Sequence, residues 1–168
     1  QREIPGISEH WRPQFAFPVQ NVPDPALAET VYYIDYQGVR FISLDSNNAK
    51  ESQVEWLKKV LESNTNIWTV VTFHHPLFSP ASDRDNPEIR KLWKPILDEF
   101  KVDLILSGHD HTYARTGQIA SKIIVNIPEG YKKAYDPNIG TVNVVSVSGP
   151  KMYKITKDTF AKRMVEDT

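Results

Sequence analysis

The 168 residues carry 20 basic and 21 acidic side chains, a net charge of −1, and no cysteine. Without a basic stripe, binding of nucleic acid by phosphate neutralisation is excluded, and without thiols so are thiolate metal sites and cysteine nucleophiles. The length suits one domain with a core, and the apolar runs are strand-sized, well short of the roughly 20 residues of a membrane-spanning helix.

The opening, QREIPGISEH, has neither an initiator Met nor the apolar run of a signal peptide, and it reads as a processed or excised start. Pro5, Pro13, Pro18, Pro23 and Pro25 forbid a long helix or a central strand over residues 1–30. That stretch reads as an extended, Pro-rich segment with Trp11, Phe15 and Phe17 as aromatic anchors. TVYYIDYQG (30–38) reads as a strand that turns at Gln37-Gly38 into VRFISLD (39–45), together a hairpin. SQVEWLKKVLES (52–63) is helical, with Ser52 and Glu55 spaced as a capping box and Val54, Leu57, Val60 and Leu61 on one face.

IWTVVTF (67–73) is a strand apolar on both faces, as in a sheet covered on both sides. NPEIRKLWKPILDEF (86–100) is a second helix, with Asn86 placed as N-cap and Pro87 at the first helical position. Ile89, Leu92, Trp93, Ile96, Leu97 and Phe100 keep helical spacing across Pro95, which predicts a kink and not an end. VDLILSG (102–108) is the next buried strand. SKIIVNI (121–127), TVNVVSVSG (141–149), MYKIT (152–156) and FAKRMV (160–165) read as short, largely antiparallel strands. The alternation of strand and helix from Val39 to Gly108 predicts an α/β fold with crossover helices and a mixed sheet.

Each of the three apolar strands ends in polar groups: Asp45 after the first, His74 after the second, His109 and His111 after the third. Open α/β sheets bind ligands beyond the carboxyl ends of their strands, so these residues converge on one edge. Imidazole is the commonest metal ligand among side chains, and residues i and i+2 of an extended segment point the same way. With Gly108 making a tight turn, His109 and His111 would reach one metal or two neighbouring ones. His75, adjacent to His74, is expected to point away from it, and Asp45 reads as a turn-maker or an acceptor behind the ligands. Tyr113 and Arg115 read equally as pocket lining or edge cover, and the isolated His10 as a hydrogen-bonded core residue.

At HHP (74–76) and GHDHTYAR (108–115) the sequence resembles the calcineurin-like metallophosphoesterases, in particular the purple acid phosphatase-like branch. VRFISLDSN with QVEWLKKVLE, and GTVNVVSVSGP, are similar to further segments of that family, so the resemblance runs from about Trp11 to Tyr153. It implies a two-sheet α/β sandwich with flanking helices, and phosphate-ester hydrolysis by a hydroxide that bridges two metals. By the resemblance His74 and His109 bind one metal and His111 the other, the ions being Fe, Zn or Mn, and the branch's frequent export favours a periplasmic or extracellular location.

The family's Asp-x-His, its Gly-Asp with the bridging carboxylate and its Gly-Asn-His with the catalytic His are all missing here. The family's spacing would place them just before Gln1. The chain therefore reads as the carboxy-terminal part of one metallophosphoesterase domain. The missing amino-terminal half, upstream of Gln1, would be its partner and would supply the general acid. These 168 residues alone would hold at most one metal, weakly, and be inactive. The alternative is a non-catalytic structural or binding module that keeps the fold. A metallo-β-lactamase-type hydrolase needs Asp and His where Tyr113 and Ala114 stand, and an amidohydrolase barrel needs histidines after His111, where none follows.

Overall fold

A computed structural model describes residues 10–19, 21–116, 118–120, 123–125, 140–146, 149–155 and 164–167. The hairpin forms as the sequence indicates. Strand β1 (Tyr32–Tyr36) pairs antiparallel with β2 (Val39–Ser43), and Gln37 and Gly38 both take positive φ, 47° and 80°. Two positive φ values in a two-residue turn match the right-handed twist of the strands it joins.

Helix α2 (Gln53–Glu62) then crosses to β3 (Trp68–Thr72), and α3 (Pro87–Glu99) to β4 (Leu104–Ser107). Strands β2, β3 and β4 run parallel. The chain continues through β5 (Ala114–Thr116), β6 (Gln118–Ala120), β7 (Ile123–Val125), β8 (Val142–Val145) and β9 (Met164–Asp167). The main sheet has seven strands in the order β1-β2-β3-β4-β8-β5-β9, and β6 and β7 form a separate antiparallel pair. This is the mixed α/β sheet with helices that the sequence predicts, with one difference in its later part. Strand β8 lies parallel beside β4, and β5 and β9 supply the antiparallel edge.

Other expectations fall differently. Pro95 sits inside α3 and the helix continues past it. Ser52 makes no capping bond; its own backbone is helical and its hydroxyl donates back to the Ala49 carbonyl, 2.9 Å away. The fully buried Gln53 does that tying instead: its Oε1 accepts from Asp45 N–H at 2.9 Å and its Nε2 donates to the carbonyls of Asp45 and Asn48 at 2.8 and 3.0 Å. Asn86 stands at the N-cap position, yet its side-chain amide donates to the Pro76 carbonyl at 2.9 Å and so fastens the loop after β3 to α3.

Among the described residues of the Pro-rich stretch there is a four-residue helix, α1 (Trp11–Gln14), and a 3₁₀ turn over Pro25–Leu27. The aromatic anchors pile up behind them, Phe17 stacking on Tyr32 at 4.6 Å between ring centres. His10, expected in the core, is exposed at the head of α1. Gln1, upstream of which the general acid is expected, lies with the rest of residues 1–9 outside the described part, so that expectation is not tested by the fold. Segment 152–155 forms no strand and makes a single bridge, Ile155 to Ala81, while residues 126–127 and 160–163 lie outside the described part as well.

The core fills one side of the sheet. Ile42, Val71 and Ile105 point to that side and join Leu57, Val60 and Leu61 of α2 with Trp93, Ile96 and Leu97 of α3. Among the described residues the strands are not covered on both faces as their composition suggests. On the side away from the helices, Ile34, Phe41, Trp68 and Leu106 are 39–44% exposed, which leaves an apolar sheet face open. Among the described residues no helix is long and apolar enough to cross a membrane.

Candidate metal centre

Strands β3 and β4 are parallel neighbours, so their carboxyl ends meet at one edge. Two backbone bonds stitch that edge: Phe73 N–H to the Leu106 carbonyl at 3.2 Å, and Gly108 N–H to the His74 carbonyl at 3.0 Å. The histidines following the two strands are thereby brought together. His74 Nε2 and His109 Nδ1 are 3.0 Å apart, and the rings of His75 and His109 are 4.1 Å apart at their centres. His74, His75 and His109 each offer one nitrogen within 4.8 Å of the others.

The tight turn that seats His109 is carried by His109 itself, with φ +65°, and not by Gly108, whose φ is not in the left-handed region. A Cβ on Gly108 would meet only His74 Nδ1 and Ser146 O at 3.9 Å, ordinary contact. The left-handed region costs a side-chain-bearing residue about 1–2 kcal/mol, and such costs gather at functional sites. Two short backbone bonds tighten the same turn, Asp110 N–H to the Gly108 carbonyl at 2.7 Å and Thr112 N–H to the Asp110 carbonyl at 2.6 Å.

His75 turns into the group where the alternation of neighbouring side chains suggests that it turns away. The buried Ser46 is the reason: its hydroxyl accepts from His75 N–H at 3.0 Å and bonds His75 Nδ1 at 2.9 Å. Burial, followed by the nearby His109, His74, Lys50 and Arg84, lowers the His75 pKa to about 4. Burial and then Arg84 lower that of His109 too. At neutral pH both rings are therefore uncharged.

His111 stands outside the three-ring group but lines the same cleft of about 550 Å³ as His74 and His109, together with Ser146 and Tyr153. Its Nδ1 lies 3.0 Å from the Lys151 carbonyl. A carbonyl only accepts, so Nδ1 carries the proton and Nε2 the lone pair. Asp45 is a turn-maker: its carboxylate accepts from Asn47 N–H at 2.8 Å and from Asn48 N–H at 3.0 Å. Tyr113 immediately precedes β5 and Arg115 lies within it, and neither is among the residues lining the histidine cleft.

Four residues at the site are not singled out in the sequence: Ser46, Ser79, Arg84 and Asp110, the last lying inside the GHDHTYAR motif itself. Asp110 is buried, takes a 2.5 Å bond from Ser79 Oγ and pairs with Arg84 Nε at 2.7 Å. Arg84 also places Nη2 against His109 Nε2. Only a serine beside the first motif and an Arg in a polar loop are visible in the sequence. For Arg84 the position three residues before the second helix is a weak cue.

The calcineurin-like phosphoesterase family matches residues 6–113, and the chain belongs to that family. It is 28% identical over 120 residues to purple acid phosphatase 15 of Arabidopsis thaliana, a match covering 66% of the chain and 22% of that protein. It is 33% identical over 89 residues to an uncharacterised protein of Mycobacterium tuberculosis, covering 49% of the chain and 17% of that protein. Among solved structures, a purple acid phosphatase from yellow lupin seeds superposes with a TM-score of 0.76 over 92% of this chain and 28% of its own, at 22% identity, and shares the fold. The chain thus spans less than a quarter of the length of those two curated relatives.

Proposed function

We propose that the intact protein hydrolyses phosphate esters with metal ions held in part by this chain. The observation that carries the reading is the convergence of His74, His75 and His109 at the carboxyl edge of β3 and β4, with ligand-capable nitrogens within 4.8 Å of one another. Neutral imidazole donors suit Zn, Fe or Mn. His74 and His109 would hold one ion, with His75 beside them, and His111 Nε2 would serve a second. When bound, such ions supply positive charge that polarises a phosphoryl oxygen.

The chain's own residues do the orienting. Ser46 holds the His75 ring, the Lys151 carbonyl fixes the His111 tautomer, and the left-handed turn at His109 aims its Nδ1 at His74. Among the described residues the three-histidine group includes no carboxylate. Two dications in one site repel strongly without bridging anions, so a second ion needs carboxylates from elsewhere. The absent Asp-x-His, Gly-Asp and Gly-Asn-His segments, upstream of Gln1, are the natural source of these and of the general acid, and the open sheet face is where a second sheet would pack. This chain is then the histidine-bearing half of a dinuclear site and inactive alone.

Turnover of p-nitrophenyl phosphate by the intact protein, after chelation and after return of Mn²⁺, Zn²⁺ or Fe²⁺, tests the reading. Activity that disappears and returns with metal supports it, and turnover indifferent to chelation overturns it. The same missing segments also favour a second reading, a module that keeps the fold without catalysis. Coding sequence upstream that encodes those segments excludes the module; a complete gene lacking them establishes it.

A further inference from the structure

Arg84 is used by none of the roles above, and it stands beside the histidine cleft, in contact with two of the residues that line it, His109 and Asp110. Its Nε forms an ion pair at 2.7 Å with Oδ1 of Asp110, an oxygen with no hydrogen-bond partner among the described residues, on a carboxylate with no exposed side-chain surface whose Oδ2 accepts from Ser79 Oγ at 2.5 Å. Its guanidinium carbon lies 5.1 Å from the centre of the Tyr153 ring, over which Lys151 Nζ sits at the same distance. Nη2 reaches His109, while Nη1 has no hydrogen-bond partner among the described residues, and the side chain remains 33% exposed. A guanidinium paired with a buried carboxylate and still partly exposed is pre-organised to take an anion.

The charge of the cleft agrees. Among its described lining residues the only carboxylate is Asp110, which is buried and already engaged by Arg84 and Ser79. Two cations lie over the ring of Tyr153, which lines the cleft, and the histidines can add none of the negative charge needed to balance them.

We infer that Arg84 binds the phosphate group of the substrate directly, with Asp110 as its positioning residue and Ser79 holding Asp110. The inference rests on the proposed phosphoesterase function and adds the residue that recognises the phosphate beside the metals. A planar fork reading phosphate oxygens is lost on Arg84→Ala and only partly replaced by Arg84→Lys, whose ammonium is a point charge.

The test uses the intact protein loaded with metal, with p-nitrophenyl phosphate as substrate and inorganic phosphate as competing ligand. Arg84→Ala raises KM and the inhibition constant of phosphate by about tenfold or more, the size of a lost charge-assisted bond. Metal content per chain stays at the wild-type value, and Arg84→Lys recovers part of the loss. Asp110→Asn shifts the same two constants in the same direction; if it fails to fold, the Arg84 pair decides alone, because that side chain is partly exposed. Constants within twofold of wild type in Arg84→Ala, or a loss of metal in proportion to the loss of activity, overturn the inference. Direct titration with inorganic phosphate separates it from the parent reading. Phosphate binding without turnover, abolished by Arg84→Ala, keeps the anion site and rejects the phosphoesterase; no phosphate binding by the wild-type protein rejects the anion site.

Discussion

His109 pays for its place with a left-handed backbone, and the nitrogen it thereby presents to His74 is the centre of the site. The placement of His74, His109 and His111 at strand ends was legible because apolar runs followed by imidazoles mark the carboxyl edge of a sheet. The turn itself was not, since Gly108 was the natural residue for a positive φ and the next residue took it. Nor was the orientation of His75, because alternation holds only in extended backbone, and Ser46, 29 positions away, sets that ring. Ser46→Ala should therefore weaken metal binding by about 10- to 100-fold, the usual cost of losing a group that orients a ligand, while leaving the fold intact. Isothermal titration with Zn²⁺ measures this. An affinity equal to wild type would remove His75 and Ser46 from the site. His10→Ala, in the same titration, should change nothing, as that ring is exposed at the head of α1.

At the scale of elements, the crossover order was readable from hydrophobic periodicity, whereas the polar ties between elements were not. Gln53 looks like an ordinary surface residue of a helix and is instead fully buried, bonded to the turn after β2. Arg40 similarly sits in a strand sequence as if solvent-facing, yet it is buried and joins three elements. It donates to both oxygens of Asp35 on β1 at 2.8 and 2.7 Å, and to the Val60 carbonyl at the end of α2 at 2.5 Å. Replacing Arg40 by Met should cost about 1.5–3 kcal/mol, the range for hydrogen bonds to charged groups, seen as a lower denaturation midpoint.

The same tie predicts a pH dependence. The Arg40 hydrogen bonds hold the Asp35 carboxyl below its ordinary value of 3.8. A group with a lowered folded-state pKa adds stability above its unfolded value, and that stability fades as pH falls through the folded one. Asp35→Asn should therefore lower the melting temperature at pH 7 and lower it less at pH 2. A destabilisation of the same size at both pH values would show that the charge is irrelevant.

For the whole molecule, the decisive feature is the sheet face that no element of the described chain covers. The strand compositions call for partners on both faces, but only the helical side is filled here. Ile34, Phe41, Trp68 and Leu106 remain accessible, and full burial of such side chains is worth about 1.5–3 kcal/mol each. An exposed patch of this kind drives association. The 168-residue chain alone should self-associate, seen as a mass above that of a monomer in multi-angle light scattering, and Phe41→Ser with Trp68→Ser should move it toward the monomer. A wild-type chain that is monomeric with a high, cooperative melting transition would contradict the idea that this face waits for another sheet.

The central claim, that these histidines hold metal for phosphate-ester hydrolysis, is tested most directly by one comparison. Intact wild-type and His74→Ala proteins are stripped with chelator, given limiting Mn²⁺, Zn²⁺ or Fe²⁺, and assayed on p-nitrophenyl phosphate. The wild type should regain activity and His74→Ala should stay lower by on the order of 100-fold, at least the cost of losing a group that merely supports a ligand. Recovery of the variant to near wild-type turnover at the same metal concentration would contradict it.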